Sequence, residues 1–290
     1  MQLGGLTVLA LALSGAFAGG LGALVGIGGG VVLVPVLVLG FGVDIRLAVA
    51  ASLVSVVATS TAGGSVWVGK GVANMRLGMS LEVATTLGGI SGGLLAASVA
   101  PSLLATLFAV MMVLTAVLML RGRDEHGRAP AGAAPAGKVT GHEEAGALAG
   151  SFFDEHAGQV ISYRAERLPL GSAIAFGAGV VSGLLGVGGG FIKVPAMNLG
   201  MRVPLKVAAA TSNFMIGVTA VSSLFVYFAR GFVHPYLAAP VALGVTGGAL
   251  LGTRVASRVS PRLLRQVSAA VLLLVAVQMG LKAMGVNLGR

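Results

Sequence analysis

Eight long apolar blocks constrain the fold of this chain more than any other feature of its sequence. They cover approximately residues 3–41, 47–69, 77–99, 102–120, 170–200, 207–229, 236–256 and 263–284. A helix needs about 20 residues to cross the hydrocarbon layer of a bilayer, and every block is at least about that long. Only 10% of the residues are charged, whereas ordinary soluble domains carry about a quarter. We therefore predict an all-α integral membrane protein with about eight transmembrane helices.

The sequence also repeats itself. The phrase "GIGGGVVLVP" at 26–35 recurs as "GVGGGFIKVP" at 186–195, and the stretches that follow both phrases align as well. A polar segment at 121–168 separates the eight blocks four and four. We interpret this pattern as an internal duplication, a plan common among transporters. It predicts a first transmembrane repeat at 1–120, a polar linker at 121–168 and a second transmembrane repeat at 169–290.

The repeated phrase predicts a broken helix in each half. The first block runs for 39 residues, from Leu3 to Phe41, which is too long for one crossing. The positions at which we expect the break are Gly26, Gly28, Gly29, Gly30 and Pro35 in the first half, and Gly186, Gly188, Gly189, Gly190 and Pro195 in the second. A helix that begins after such a break presents free N–H groups and the positive end of its dipole, which attract anions. The alternative is that the glycines only pack helices and the prolines only bend them.

Small polar residues follow each break. Ser52 lies in the first half, and Thr211, Ser212 and Asn213 lie in the second, with Ser52 and Ser212 in register. Hydroxyl and amide groups can coordinate an oxyanion without the desolvation cost of a full charge, although they also join helices to one another. We favour the interpretation that these residues contact a substrate.

Two charged residues lie within the apolar blocks. Lys193 either pairs with a bound anion or extends its ammonium group towards the membrane interface, and the sequence does not separate the two. Glu82 is a candidate for coupling to protons or sodium, but an interfacial acid near Arg76 is the interpretation we favour.

Other features have simpler interpretations. Glycines spaced by four residues predict close helix packing, and they are Gly15 and Gly19, Gly88 and Gly92, and Gly244, Gly248 and Gly252. Trp67 and Tyr163 are interpreted as anchors at the membrane interface. His126, His142 and His156 are interpreted as solvated residues of the linker.

The composition excludes several kinds of protein. The chain has no cysteine, which removes disulfides, thiolate metal sites and catalytic thiols. Aromatic residues make up only 5%, which argues against nucleic-acid binding. The net charge is +10, and outside 121–168 there are thirteen basic residues and two acidic ones. This excess indicates either the positive-inside bias of cytoplasmic loops, which we favour, or a positive vestibule for an anionic substrate.

The repeated phrases also resemble a known family. "GALVGIGGGVVLVPVL" and "GLLGVGGGFIKVPAMNLG", followed by "AVAASL" and "AAATSN", resemble the paired signature of the TauE/SafE sulfite exporter family, also called the toluene sulfonate uptake permease family. The resemblance implies a duplicated four-span unit and transport of sulfite, sulfoacetate or other small organic anions. It places both glycine triplets, both prolines, Thr211 and Ser212 at signature positions. The first half has Ala51 and Leu53 where the second has Thr211 and Asn213, so we expect the second half to contribute more polar contacts.

These observations lead to one functional hypothesis. We expect a multi-pass cell-membrane carrier for a small, sulfur-containing anion that works by alternating access, without a cofactor or a metal. A passive anion channel and a membrane-embedded enzyme are the alternatives, and the scarcity of catalytic side chains within the blocks argues against an enzyme. The identity of the substrate, the direction of transport, the orientation of the termini, the parallel or inverted relation of the halves and the oligomeric state are not determined by the sequence.

Overall fold

The chain folds almost entirely into helices. The computed structural model describes residues 5–25, 29–69, 72–121, 148–154, 159–256 and 261–284. The helices are α1 (Gly5–Val25), α2 (Gly30–Pro35), α3 (Ile45–Gly69), α4 (Met75–Ser98), α5 (Pro101–Arg121), α6 (Leu168–Leu185), α7 (Gly190–Pro195), α8 (Leu205–Ala229), α9 (Pro235–Ala256) and α10 (Pro261–Ala283). The strands β1 (Ala149–Asp154) and β2 (Gln159–Arg164) form one small sheet. The prediction of a helical membrane protein is confirmed, with this sheet as an addition.

Six of the described helices, α1, α5, α6, α8, α9 and α10, are long and apolar enough to cross a membrane. Large apolar side chains cover their outer surfaces: Leu6, Phe225 and Leu243 are 84%, 72% and 76% exposed. Soluble proteins rarely expose apolar surface on this scale, so these side chains face lipid. The predicted spans at 47–69 and 77–99 correspond to α3 and α4, which are not among these six helices. The total of eight spans therefore stays a prediction.

The long helices pair across the two parts of the chain that the polar segment separates. α1 packs along α9, α4 along α6, α3 against α8, and α5 against α10. Both parts have the same order of elements, a long helix, a short helix with a π-helical turn, and three long helices. Each part therefore completes its packing only with helices from the other part.

Glycines form the closest of these helix contacts. A Cβ atom added to Gly15 would lie 2.6 Å from the carbonyl oxygen of Val241, and one added to Gly252 would lie 2.7 Å from that of Gly20. The same kind of clash with the facing backbone would occur at Gly19, Gly88, Gly92, Gly244 and Gly248. Real Cβ atoms essentially never approach other atoms within 3.0 Å, so a larger residue would separate the helices. The predicted packing role of these glycines is confirmed.

The described part of the polar segment contains a β-hairpin, whereas the sequence predicted only a surface linker. β1 and β2 are antiparallel, with Ala149 opposite Arg164. Tyr163 on β2 is 9% exposed, and its hydroxyl accepts a 3.0 Å hydrogen bond from Nδ2 of Asn74. Its ring belongs to a buried cluster with Met201. The interpretation of Tyr163 as an interface anchor is therefore wrong, because protein and not lipid surrounds the ring.

We predict that the glycine contact between α1 and α9 is essential for stability. Gly248→Ala places a methyl group against the backbone of Ala16 and should destabilise the protein by about 1–3 kcal/mol, as overpacking usually does. Gly247→Ala on the same helix meets nothing within 4 Å and is the matched control. Thermal unfolding in detergent measures both variants. Equal melting temperatures for the two would contradict the predicted role of Gly248.

We also predict an unusual titration of Tyr163. Burial raises the pKa of its phenol above the ordinary value of 10.0, although the hydrogen bond from Asn74 opposes this shift. The neutral phenol therefore stabilises the docked hairpin fully below pH 10.0, and this stabilisation declines as the pH rises towards the folded-state pKa. Ultraviolet difference titration of the native protein against Tyr163→Phe measures the shift. Tyr236→Phe, which removes the hydroxyl of a side chain that is 79% exposed, is the control. An ordinary pKa for Tyr163 would refute the buried environment.

Candidate functional site

The second glycine phrase forms a break between two helices. α6 ends at Leu185 and α7 begins at Gly190. Gly186, Gly188 and Gly189 have φ angles of 68°, 78° and 69°, in the left-handed region that residues with a Cβ atom rarely adopt. The backbone of this break therefore depends on glycine.

The first phrase separates α1, which ends at Val25, from α2, which begins at Gly30. Gly26 and Gly28 lie outside the described residues. Gly29 has φ −63° and ψ −19°, a right-handed helical conformation, and so differs from Gly189 in the second copy. The two copies therefore do not enter their short helices in the same way.

Each proline marks a change of helix type. Pro35 ends α2 and Pro195 ends α7, and a π-helical turn follows each, at Val36–Gly40 and Ala196–Gly200. Proline lacks an N–H group, so it interrupts the regular hydrogen-bond pattern. With its π-helical turn, each short helix runs for 11 residues. This length is about half of what a bilayer crossing needs.

Polar side chains donate hydrogen bonds to backbone carbonyl groups in or just after these turns. Lys282, in the last turn of α10, donates a 2.7 Å hydrogen bond from Nζ to the carbonyl oxygen of Val38. In the second copy, Nδ2 of Asn198 donates to the carbonyl oxygen of Val203 at 2.9 Å. Polar side chains thus stabilise both interrupted segments.

The two breaks lie side by side. A Cβ atom on Gly30 would be 2.6 Å from the carbonyl oxygen of Gly186. Ser52 on α3 donates a 2.7 Å hydrogen bond to that same carbonyl. The side chain of Val56, one turn further along α3, lies 3.0 Å and 3.3 Å from Cβ atoms built on Gly30 and Gly188. The start of α2 and the end of α6 therefore meet against α3.

Two buried hydroxyl groups lie beside the start of α7. The Oγ atoms of Ser182 on α6 and Ser212 on α8 have no hydrogen-bond partner among the described residues. The residues are 0% and 1% exposed. A Cβ atom on Gly189 would lie 3.5 Å from Cβ of Ser182, and one on Gly190 would lie 3.6 Å from Oγ of Ser212. Two hydroxyl groups beside a glycine-lined helix start can donate hydrogen bonds to the oxygens of an anion.

The other predicted polar residues have different environments. Thr211 is fully buried, and its hydroxyl accepts a 2.9 Å hydrogen bond from the backbone N–H of Asn74, which precedes α4. Asn213 is partly exposed, and no hydrogen bond of its side chain is found within the described ranges. Of the predicted polar set, the structure thus brings Ser52 and Ser212 to the breaks.

Lys193 and Glu82 meet inside the protein through a threonine. Nζ of Lys193 donates to Oγ1 of Thr219 at 2.7 Å, and Thr219 lies 2.7 Å from Oε1 of Glu82. Lys193 is 2% exposed and Glu82 is 4% exposed. Lys193 therefore does not reach the membrane interface. The favoured interpretation of Glu82 as an interfacial acid near Arg76 is wrong, because its carboxylate points inwards from α4.

Sequence reasoning missed Ser182 and Thr219. Ser182 is a lone hydroxyl six residues before a glycine triplet, and Thr219 follows Ser212 by seven residues, two helical turns along the same face. These spacings could have singled them out. Serine and threonine in apolar helices usually bond to their own backbone, however, so the signal is weak.

In the described part of the chain, no group of three or more His, Cys, Asp or Glu residues lies close enough together to bind a metal ion. His126, His142 and His156 lie outside the described residues, as does the side chain of Trp67.

Comparison with known proteins agrees with the membrane architecture. The family model described as "Sulfite exporter TauE/SafE" matches residues 11–279. The chain is 26% identical over 277 residues to "Probable membrane transporter protein YunE" of Bacillus subtilis strain 168, covering 93% of this chain and 96% of the relative. It is 28% identical over 260 residues to a "Probable membrane transporter protein" of Xylella fastidiosa strain Temecula1, covering 88% and 87%.

A second Xylella fastidiosa protein of the same name, from strain 9a5c, is 29% identical over 258 residues. No solved structure matches the chain. The family match spans most of the residues and includes all or most of each of the ten described α-helices, and the relatives are named as membrane transporters. This chain is therefore a multi-pass membrane protein that belongs to the TauE/SafE sulfite exporter family of membrane transporters.

Proposed function

We propose that the protein is a secondary carrier that moves a small, sulfur-containing anion across the membrane by alternating access. The observation that carries this proposal is the pair of unpartnered hydroxyls of Ser182 and Ser212 beside Gly189 and Gly190. A buried polar group without a partner costs about 1–3 kcal/mol. A bound oxyanion would supply the missing acceptors.

The chemistry around these hydroxyls favours an anion over a cation. Both serines can donate, and so can the N–H groups of Gly190 and Phe191, which begin α7. The next two N–H groups, of Ile192 and Lys193, donate to the carbonyl oxygen of Gly189. Several oxygens on one sulfur atom could accept from these donors together. The choice of sulfite or an organosulfonate as the substrate rests on the family to which the chain belongs.

We further propose eight spans in two homologous halves, at 1–120 and 169–290, joined by the segment 121–168. α4 supports this proposal, because Met79, Val83 and Leu87 are 58%, 66% and 56% exposed at four-residue intervals and form a face suited to lipid. The crosswise pairing of helices supports it as well. The site lies where α3 meets α8, so a rocking motion between the halves would open it to each side in turn.

Within this proposal the two halves have unequal roles. Ser182, Ser212 and Lys193 all belong to the second half. The hydroxyls of Ser52 and Thr211 are bonded to backbone groups, so we assign these residues to holding the broken segments in place. Gly28, Gly29, Gly30 and Asn213 complete the proposed surroundings of the substrate.

We predict that removal of either free hydroxyl weakens anion binding. Ser182→Ala and Ser212→Ala should each raise the half-saturating concentration of the transported anion at least about tenfold, since a hydrogen bond to a charged group contributes about 1.5–3 kcal/mol. Uptake into proteoliposomes measures this effect, after thermal-shift screening of sulfite, sulfate, thiosulfate, sulfoacetate, taurine and acetate has identified the anion that stabilises the protein most.

The matched control is Ser55→Ala. Ser55 is a fully buried serine of α3 whose hydroxyl donates to Ala51 of its own helix at 3.1 Å. Unchanged saturation in both variants at Ser182 and Ser212 would reject the proposed site. Flux that does not saturate and shows no exchange of labelled for unlabelled anion would replace the carrier with a channel.

A further inference from the structure

Lys193 and Glu82 are connected by two hydrogen bonds through the hydroxyl of Thr219, and this hydroxyl can change its acceptor. Lys193 donates to Thr219, and the Thr219 hydroxyl has two acceptors within reach, Oε1 of Glu82 at 2.7 Å and the carbonyl oxygen of Met215 at 2.9 Å. A hydroxyl has one hydrogen, so it donates to one acceptor at a time. Thr86 adds a weaker contact of 3.4 Å to Oε1. The second oxygen, Oε2, is buried without a partner among the described residues.

The two charged residues have apolar counterparts in the other half. In the register of the repeat, Leu33 answers Lys193 and Ala238 answers Glu82. Thr59 answers Thr219, and its hydroxyl donates to Ser55 of its own helix at 3.0 Å. Leu33 and Ala238 are 0% and 5% exposed. The fold therefore accommodates an uncharged version of this contact, so the charged version is not required for packing.

Few other charges surround Glu82. α6, which packs along α4, carries no titratable side chain. α7 contributes Lys193. α8 carries Lys206 in its first turn and Tyr227 near its end, and the Tyr227 hydroxyl donates to the carbonyl oxygen of Gly183 at 3.0 Å.

We propose that Glu82 is the coupling site of the carrier and that one proton travels with each anion in the same direction. This inference rests on the proposed function. In the empty state the Glu82 carboxylate balances the Lys193 ammonium through Thr219. When a proton from one side of the membrane binds to the free Oε2 atom, Thr219 turns its hydrogen to Met215, and the ammonium loses its counter-charge. A bound anion near the start of α7 then restores neutrality, and both leave on the other side.

The physical basis is the high free energy of an uncompensated buried charge. Proton binding without the anion leaves an unpaired ammonium, and anion binding without the proton leaves an excess carboxylate. Each ligand therefore raises the affinity for the other by the same factor, because binding free energies are reciprocal. Anion affinity should fall as the pH rises, by up to about tenfold per pH unit for a single proton.

The first test concerns the pairing and needs no substrate. Lys193→Leu leaves the Glu82 carboxylate without its ammonium and should lower the melting temperature strongly. The double variant Lys193→Leu with Glu82→Ala has the residues that the other half has at these positions. Its melting temperature should recover most of the decrease seen in Lys193→Leu. Additive losses in the double variant would overturn the pairing.

The second test concerns coupling and uses the anion of the screening panel that stabilises the native protein most. Glu82→Gln imitates the protonated carboxyl group. It should keep exchange of labelled for unlabelled anion, lose accumulation driven by a proton gradient, and bind the anion with an affinity that no longer changes with pH. Glu166→Gln, which alters an exposed carboxylate 3.2 Å from Arg202, should behave like the native protein.

The outcomes separate this inference from the proposed function. If the native protein exchanges the anion but a proton gradient drives no accumulation, or drives it in the opposite direction, the coupling proposal fails and the carrier remains. The coupling proposal also fails if Glu82→Gln retains gradient-driven accumulation. If the native protein transports no anion of the panel, the proposed function itself fails.

Discussion

The structure depends on the need to satisfy every backbone polar group that lies away from water. Hydrocarbon offers no hydrogen bonds, so a broken helix inside the protein must find partners nearby. In this chain, side chains of other helices supply some of these partners. Ser52 on α3 donates to the carbonyl oxygen of Gly186, which follows α6, and Lys282 on α10 donates to that of Val38 in the first π-helical turn. Contacts between the parts of the chain before and after the polar segment therefore stabilise the interrupted segments.

The glycine contacts make this arrangement geometrically possible. α4 packs against both α6 and α8 through glycines, and this places Glu82 within reach of Thr219 and Lys193. The same approach between α1 and α9 brings Val245 within 2.9 Å of a Cβ atom built on Gly29. Helix packing and the position of the polar groups thus have one cause, which is the absence of side chains at facing positions.

Much of this architecture could be predicted from the sequence because the signals are local. Apolar length indicates a helix, glycines at four-residue intervals indicate close packing, and the doubled phrase of glycines and proline marks the two short helices. The neighbours of individual polar residues could not be predicted. A helix that is apolar all round carries no period that shows which side faces protein, so the inward direction of Glu82 was missed. The buried position of Tyr163 and the hydrogen bond of Thr211 were missed for a related reason, since their partner Asn74 is distant in sequence.

The crosswise pairing of helices affects how the chain matures. α1 packs along α9, and these two helices lie at opposite ends of the sequence. During synthesis α1 enters the bilayer long before the ribosome has made α9. In the same way, α4 is made before its partner α6. The early helices must therefore persist in lipid as separate units with their glycine faces uncovered. The contact between α1 and α9 forms only after α9 has been made, so a chain that ends before α9 leaves the glycine face of α1 without its partner.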